Sequence, residues 1–321
     1  MIWHSNLRAD PTAWLLEPDN PSARYLALAQ LLDRAADGPE ALSAQSAITT
    51  ARPARAILEA QYVGPEDAAQ PAGYWIKPDI GYSPKYRATV WQLIFLAQLG
   101  APRVQPIQRA CEYVLQHSRQ ATDGRFIAAR SQYAAIDCLN GNLLWALQRF
   151  GFADDAGVVQ AREATAQAAA RRGFACHHNG DRPCAWGAVK VLRAFLELPP
   201  ARRSAAVEAT IGCGTELLLS VPIVEAAYPA IRAASERWFA LAFPLDYSAD
   251  LLEVATVLAL AGCAGHPHLQ AVVRWLLDRQ DADGRWMLEH TPGKTWGGFG
   301  ELGRPNKWVT LRALRLLKML G

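Results

Sequence analysis

The sequence predicts an all-α protein, a single (α/α)6 toroid of alternating inner and outer helices that forms one domain over residues 1–321. Two observations carry this prediction. Apolar residues recur with helical periodicity along almost the whole chain, and no segment alternates as a strand does. Two classes of amphipathic run also alternate with a period of about 50 residues, which is typical of stacked helical pairs.

The predicted inner helices are the more apolar class. Most of them end at an apolar residue followed by Gly or Pro, as at Gly100 and Pro199, which is the usual signal at a helix C-terminus. A helix that is apolar on most sides must be covered on both flanks, so we place these runs inside. They are predicted over residues 22–35, 85–99, 138–150, 184–198, 248–262 and 306–320.

The predicted outer helices have a narrower apolar stripe and charged residues elsewhere. Inner helices with outer helices between them can close into a toroid, whereas an open α-solenoid is the alternative. Closure is favoured because solenoids usually carry polar capping repeats, and the sequence has none. The outer runs are predicted at about 40–60, 103–117, 155–171, 203–220 and 267–279.

A short phrase occurs twice between an outer and an inner run. Residues 120–126 and 280–286 both read Q-x-x-D-G-R-aromatic, and a looser copy runs from Gln61, across an insertion, to Gly73 and Trp75. Asp-Gly is typical of a tight turn. We therefore predict that the aromatic packs between outer helices and that the Gln caps a helix end.

The phrase resembles the QW repeat of squalene and oxidosqualene cyclases, whose relatives include the protein prenyltransferase β-subunits. Residues 297–300, Gly-Gly-Phe-Gly, followed by Lys307 and Trp308, are similar to turns of those β-subunits. The resemblance implies a toroid that binds or converts an apolar, isoprenoid-like substrate in a large central cavity. The chain lacks the Asp-x-Asp-Asp motif of class II cyclases. It also lacks the Asp-Asp-x-x-Asp motif for magnesium and diphosphate, since Asp154 and Asp155 precede Ala-Gly-Val.

Composition excludes several classes of partner. The chain is 51% hydrophobic and 20% charged with a net charge of +3, which is too little to indicate nucleic-acid binding. No stretch reaches the roughly 18 apolar residues of a membrane span. The first residues do not have the layout of a secretory signal, so we expect a cytoplasmic protein. The six cysteines do not suggest a disulfide framework in a chain of this size.

Cysteines and a histidine near two predicted inner-helix starts indicate a zinc site. In a toroid the inner helices run parallel, and their N-termini favour thiolates at one end. Cys138, Cys176, His177 and Cys184 would lie there, and zinc prefers such sulfur and nitrogen donors. This layout resembles lanthionine cyclases, although Cys184 is followed by Ala185 rather than by His-Gly. Cysteines that simply pack between helices are the alternative.

A zinc held by three protein ligands would activate a substrate thiol, as the resemblance to lanthionine cyclases and protein prenyltransferases implies. A zinc with four protein ligands would be structural, in a toroid that only binds a lipid or a protein. The prenyltransferase Asp-x-Cys motif is absent, although Asp137 directly precedes Cys138.

Acidic residues supply the candidate catalytic acids. Asp246 and Asp250 are four residues apart at the start of a predicted inner helix, so we place them on one helix face, and Asp137 is the third candidate. Helix capping is the alternative for this pair.

The candidate substrate-binding residues are of two kinds. Basic residues would bind an anionic head group of the substrate, and aromatic rings would contact its apolar part. Core packing is the alternative for the rings. The set is Lys85 and Arg87 on the second inner helix, Asn142, Trp145, Trp186, Tyr247, Lys307 and Trp308.

Overall fold

Helices account for most of the chain in the computed structural model, which describes residues 3–62, 64, 73–131, 133–231 and 234–321. Within these ranges one two-stranded hairpin is the only sheet, and no helix has the length and apolarity that a bilayer span needs. The all-α prediction is therefore confirmed. The helices are α1 (Thr12–Leu15), α2 (Pro21–Leu26), α3 (Pro39–Ala47), α4 (Ala54–Glu59), α5 (Thr89–Gln98), α6 (Gln105–His117), α7 (Asp137–Arg149), α8 (Ala156–Arg172), α9 (Ala185–Leu196), α10 (Ala205–Leu219), α11 (Leu251–Leu258), α12 (Pro267–Asp278) and α13 (Lys307–Leu320); the strands are β1 (Ala175–Cys176) and β2 (Arg182–Pro183).

Two of the predicted helix boundaries are wrong. α5 begins at Thr89 rather than at residue 85, because Tyr86 has a φ of 68° and a right-handed helix cannot include that conformation. The predicted run over 40–60 is two helices, α3 and α4, with Pro53 directly before α4. A proline has no N–H to continue the helical hydrogen bonds.

The helices fall into two classes of burial, as predicted: some are buried on all sides and others along one stripe. All ten residues of α5 are buried, whereas α6 buries a single stripe that includes Ile107 and Val114. We call α2, α5, α7, α9, α11 and α13 the inner helices. α5 packs on α7, α7 on α9, α9 on α11, α11 on α13 and α13 on α2. The Ser22 hydroxyl of α2 donates to the Leu99 carbonyl at the end of α5, at 2.7 Å.

The repeated phrase forms the same local structure three times. Gly73, Gly124 and Gly284 have positive φ angles of 62°, 78° and 78°, which glycine adopts without strain. Each aromatic two residues later is fully buried, and its backbone N–H donates to a side chain of the next inner helix. The pairs are Trp75 with Thr89 at 3.1 Å, Phe126 with Asn140 at 2.8 Å and Trp286 with Thr310 at 3.0 Å.

The two tryptophans also close the ends of outer helices. The Trp75 indole N–H donates to the Ile57 carbonyl at 2.7 Å, and the Trp286 indole N–H donates to the Leu276 carbonyl at 2.8 Å. Each carbonyl also accepts from the N–H of the C-cap residue of its helix, Ala60 at 3.3 Å and Arg279 at 3.1 Å. The glutamines do not cap helix ends as predicted: Gln61 donates to the Pro106 carbonyl, Gln120 to Asp123, and Gln280 accepts from the Arg8 backbone.

A close approach of α7 to α9 fixes the starts of these two helices side by side. A Cβ on Gly141 would lie 2.3 Å from the carbonyl carbon of Lys190 and 2.4 Å from the amide nitrogen of Val191. A Cβ on Gly187 would lie 3.1 Å from the Cβ of Asp137. Small residues at both contacts therefore set the spacing of the two helices.

A buried segment without helix or strand contacts the inner helices α5 and α7. Residues 241–249 are buried apart from the partly exposed Tyr247. The Gln98 side chain accepts from the Leu245 N–H at 2.7 Å and donates to its carbonyl at 2.8 Å. The Asn142 amide donates to the Asp246 carbonyl at 2.9 Å. The cavity beside this segment measures about 110 Å³.

Candidate functional site

Three cysteines gather where α7 and α9 begin. Cys138 is the second residue of α7, and Cys184 precedes α9, with its sulfur accepting from the Gly187 N–H at 3.4 Å. Cys176 ends β1, and the Cys184 N–H donates to the Phe174 carbonyl at 2.9 Å. Cys176 is thus the diagonal neighbour of Cys184 on one face of the hairpin, within side-chain reach. The two thiols lie close enough for the ionisation of one to depend on the other.

The hairpin that carries Cys176 depends on its turn. The 3-10 segment His177–Asn179 is followed by Gly180 and Asp181, with φ angles of 62° and 56°. The Asp181 N–H returns to the Cys176 carbonyl at 3.0 Å. The chain reverses here within a few residues, so that His178 and Asn179 of the turn stay near Cys176 in the chain.

Hydrogen bonds around Cys176 stabilise its thiolate. The pKa of Cys176 is lowered to about 7, first by the hydrogen bond from the Cys184 thiol and then by the N–H groups of His178 and Asn179, while burial opposes the shift. The same hydrogen bond, with burial, raises the pKa of Cys184 well above its usual value. Burial raises the pKa of Cys138 to about 12. Thiolate character near neutral pH is therefore concentrated on Cys176, and the thiolate is the nucleophilic form.

A small cavity of about 50 Å³ opens beside this sulfur. The Asp137 carboxyl makes no hydrogen bond to any described residue. Burial raises the pKa of Asp137 to about 6, although Arg125 and Arg172 pull it down. The cavity thus joins a thiolate, a carboxyl that titrates near neutrality and two cations. We call it the hairpin cavity; its polar lining is Arg125, Tyr133, Asp137, Arg172, Cys176 and His177.

We expect Asp137→Asn to stabilise the protein at about pH 8 and to leave its stability unchanged at about pH 3.5. The folded-state pKa of about 6 lies above the ordinary value of 3.8. Burial thus favours the protonated carboxyl, and the folded state loses stability as the pH rises through this interval. Urea unfolding at both pH values tests this, with the exposed Asp37→Asn as control. An equal change at both pH values would contradict it.

The four predicted zinc ligands are only partly brought together. Cys138, Cys176 and Cys184 lie close enough to influence one another's ionisation, and their sulfurs are suitable zinc donors. The exposed His177 ring instead stacks on Tyr133, with centroids 4.0 Å apart. Among the described residues, no three His, Cys, Asp or Glu side chains are placed to hold a metal ion. As placed, the set does not fit a tetrahedral ion, so zinc stays a prediction.

Asp250 serves as a helix cap. α11 begins at Leu251, so Asp246 precedes the helix and the two carboxylates do not share a helix face as predicted. Asp250 accepts from the Glu253 N–H at 2.8 Å, and Arg312 contacts both its oxygens, at 2.7 and 2.9 Å. Burial opposes ionisation of Asp250, but Arg312 and the N–H donors outweigh it and lower the pKa. An ionised carboxylate with its oxygens occupied has no proton to give.

Asp246 is also engaged within the fold. One oxygen accepts from the N–H and the hydroxyl of Ser248, at 2.7 and 2.6 Å, and the other lies 3.3 Å from an Arg237 nitrogen. The side chain is 2% exposed. These contacts support a role in holding the interior segment rather than one at a cavity wall.

The predicted basic residues are already occupied. Lys307 is buried, and its ammonium contacts Glu17 at 2.9 Å and also Asp19. Because α5 begins later than predicted, Lys85 and Arg87 lie in the turn before it rather than on it. Each of these two cations stacks on an aromatic ring: Lys85 lies 4.2 Å above Tyr247, and Arg87 lies 3.8 Å above Trp296.

The predicted aromatic residues fall into two groups. Trp145 and Trp308 line the cavity of about 110 Å³, which we call the central cavity. Trp186 and Tyr247 pack edge to face, with centroids 6.0 Å apart. Asn142 is buried, and its side-chain amide donates to the carbonyl of Asp246. Of these five predicted substrate-binding residues, Trp145 and Trp308 line the central cavity and the other three do not.

The central cavity also holds charged residues that the sequence reasoning missed. Four arginines line it, all on inner helices. The sequence does contain a signal for them: arginines occur within the most apolar predicted helices. Charged residues are not expected there, because such helices have no face exposed to solvent. The arginines are Arg149, Arg193, Arg312 and Arg315.

Comparison with known proteins assigns no family. A scan against models of known protein families gives no match, and a search of curated proteins gives none either. Any function must therefore be argued from the geometry of the two cavities.

Proposed function

We propose that the chain is an (α/α)6 toroid whose active site lies at the starts of its inner helices. The cyclic order of inner-helix contacts supports this. In an open solenoid the first and last helices do not meet, whereas α13 packs on α2 and Ser22 bonds to the end of α5. Three copies of the phrase between outer and inner helices support the same repeat.

We further propose that the protein is an enzyme whose reacting group is the Cys176 thiolate. The observation that carries this proposal is the low pKa of Cys176, produced by Cys184 and the turn amides, at the wall of a cavity. Reactive cysteines occupy partly exposed, electropositive surroundings of this kind, whereas structural cysteines are buried without such donors.

The hairpin cavity suits a small anionic electrophile. Arg125 and Arg172 would hold its carboxylate or phosphate. The Cys176 sulfur would attack an electrophilic carbon and form the S–C bond, and the leaving group would depart with the bonding electrons. Asp137, partly protonated near its pKa of about 6, would give that group its proton.

Alkylation with a charged and a neutral reagent tests this function. We expect Cys176 to prefer iodoacetate over iodoacetamide, relative to Cys213 of the same chain, because the two arginines attract the anion. Arg172→Gln should reduce that preference, and the exposed Arg171→Gln, one residue earlier on α8, should not. Equal preferences at Cys176 and Cys213 would overturn the proposal.

A zinc-thiolate site that activates a substrate thiol is the second candidate. The mutual influence of Cys138, Cys176 and Cys184 on their ionisation favours it, but the three sulfurs would have to move to surround a tetrahedral ion. It predicts about one zinc per chain, as a tetrahedral site requires. Elemental analysis of protein purified without chelator measures this. Cys138→Ser and Cys184→Ser should then release the metal, and Cys213→Ser should retain it. Absence of zinc would leave Cys176 as a free nucleophile.

An apolar, isoprenoid-like substrate is the third candidate, favoured by Trp145 and Trp308 in the central cavity. Its volume of about 110 Å³ is below the roughly 300–1,000 Å³ of ligand pockets. Binding of such a substrate would require residues 241–249 to move. A non-catalytic toroid that only binds a lipid would require the same movement of residues 241–249.

A further inference from the structure

The central cavity carries more positive than negative charge. Four arginines and two glutamates line it. Lys190 and Asp250 lie directly behind this lining, in ion pairs with Glu253 and Arg312. Five cations therefore face three carboxylates, which leaves an excess of two positive charges. The cations are Arg149, Lys190, Arg193, Arg312 and Arg315, and the carboxylates are Glu197, Asp250 and Glu253.

The carboxylates are committed to particular partners. Glu253 contacts Lys190 at 2.5 Å and Arg193 at 3.4 Å. Glu197 accepts from the Trp145 indole at 2.9 Å, while its other oxygen lies 3.7 Å from Arg149. Neither acid lies within ion-pair distance of the remaining arginine of α13.

That arginine is Arg315. It makes no hydrogen bond and no ion pair with any described residue, although it is only partly exposed. Burial lowers the pKa of Arg315, and the nearby Arg149 and Arg312 add to this, while Glu197 opposes it. Arg315 lines the central cavity, and none of the five N–H donors of its guanidinium has an acceptor among the described residues.

We propose that the central cavity binds a phosphate monoester through Arg149, Arg193 and Arg315. The excess of two positive charges matches a dianion better than a carboxylate. The volume of about 110 Å³ is a few times the roughly 30 Å³ share of one water, which suits a single tetrahedral group. The planar guanidinium of arginine can donate two parallel hydrogen bonds to two oxygens of one phosphate.

The remaining walls indicate an apolar substituent on the phosphate. Phe243 and Trp308 stack in parallel with centroids 4.8 Å apart, and both line the cavity. Leu260 lines it too and is 40% exposed, which marks the mouth. This site lies on the later turns of α7 and α9, roughly 15 Å from the cysteines at 1.5 Å per residue. It is therefore distinct from the hairpin cavity.

Thermal unfolding and calorimetry of the full chain test the site. The probes are inorganic phosphate, phenyl phosphate and benzoate at matched ionic strength. We expect phenyl phosphate to bind more tightly than inorganic phosphate, and benzoate to bind least. Arg315→Gln should weaken phenyl phosphate binding by about ten-fold or more, since a charge-assisted pair of hydrogen bonds is lost. The exposed Arg274→Gln on α12 should leave the affinity unchanged.

The stability of the free protein separates a binding role from a structural one. Because Arg315 has no partner, Arg315→Gln should leave the unfolding temperature unchanged or raise it. A lowered unfolding temperature with unchanged phenyl phosphate affinity would overturn the proposal. Equal affinity for phenyl phosphate and benzoate would also overturn it, as would no detectable binding of phosphate. Tighter binding of inorganic phosphate than of phenyl phosphate would overturn the assignment of the ligand as a phosphate monoester.

Discussion

Glu253→Gln is expected to lower the free energy of unfolding by about 3–5 kcal/mol, the usual cost of breaking a buried ion pair on one side. Lys190 is fully buried, and its ammonium lies 2.5 Å from Glu253. Burial lowers the pKa of Lys190, whereas Glu253 supports the charged form. The neutral amide keeps the volume of Glu253 but leaves the Lys190 charge without its main partner. Urea unfolding near neutral pH measures the loss.

A second substitution tests whether the uncompensated charge is the cause. Lys190→Met in the Glu253→Gln background should recover much of the lost stability, because it removes the buried charge while keeping a long apolar side chain. Glu208→Ala on α10, which breaks an exposed pair with Arg203, should cost no more than about 1 kcal/mol. Equal losses for Glu253→Gln and Glu208→Ala would contradict the account.

Gly141→Ala is expected to destabilise the protein by about 1–3 kcal/mol, the usual cost of overpacking a core. The new Cβ would lie 2.3 Å from the backbone of Lys190. Backbone at such a contact cannot rotate away, so α7 and α9 must separate. That movement would also shift Cys138 relative to Cys184, so thiol reactivity should change together with stability. Chemical unfolding and thiol titration measure the two effects.

Gly212→Ala is the matched control for this prediction. Gly212 lies inside α10, and no atom lies within 4 Å of a Cβ placed there. Alanine has the better helix propensity, so this variant should be more stable by about 0.5–1 kcal/mol. If the two alanine variants behave alike, close packing of α7 on α9 does not govern stability.

The helices were predictable from the sequence because their signals are local. An apolar run that ends at Gly100 or Pro199 marks a helix without knowledge of its neighbours. The repeated phrase was equally readable, since Asp-Gly and a buried aromatic act within one turn. The break in the run over 40–60 had a local signal too, Pro53, and the prediction gave it too little weight.

The interior could not be predicted, because it depends on contacts between residues far apart. Nothing local indicates that Leu245 pairs with Gln98, 147 residues away. The same segment carries Asp246, which lies before α11 rather than in its first turn. The position of Arg315 at a cavity wall without an ion-pair partner among the described residues likewise depends on how α7, α9 and α13 pack together.

The candidate site was partly predictable. The positions of Cys138 and Cys184 near the starts of neighbouring inner helices indicated their proximity, and Cys176 was placed in the loop before α9. The hairpin was not predicted, since strands of two residues carry no periodic signal. Yet the hairpin sets the hydrogen bonds that distinguish Cys176 from the other two thiols. The residue types therefore indicated a group of thiols, and the difference in pKa between Cys176 and the other two required the structure.

The pH dependence of alkylation at each cysteine tests the central claim most directly. Peptide mapping after brief treatment with iodoacetamide would give a rate for all six thiols of the full chain. The account predicts that Cys176 reacts fastest at neutral pH, with a midpoint near its pKa of about 7. Cys213, whose pKa is raised by burial, should need more alkaline solution. A Cys176 midpoint at or above that of Cys213 would contradict the account.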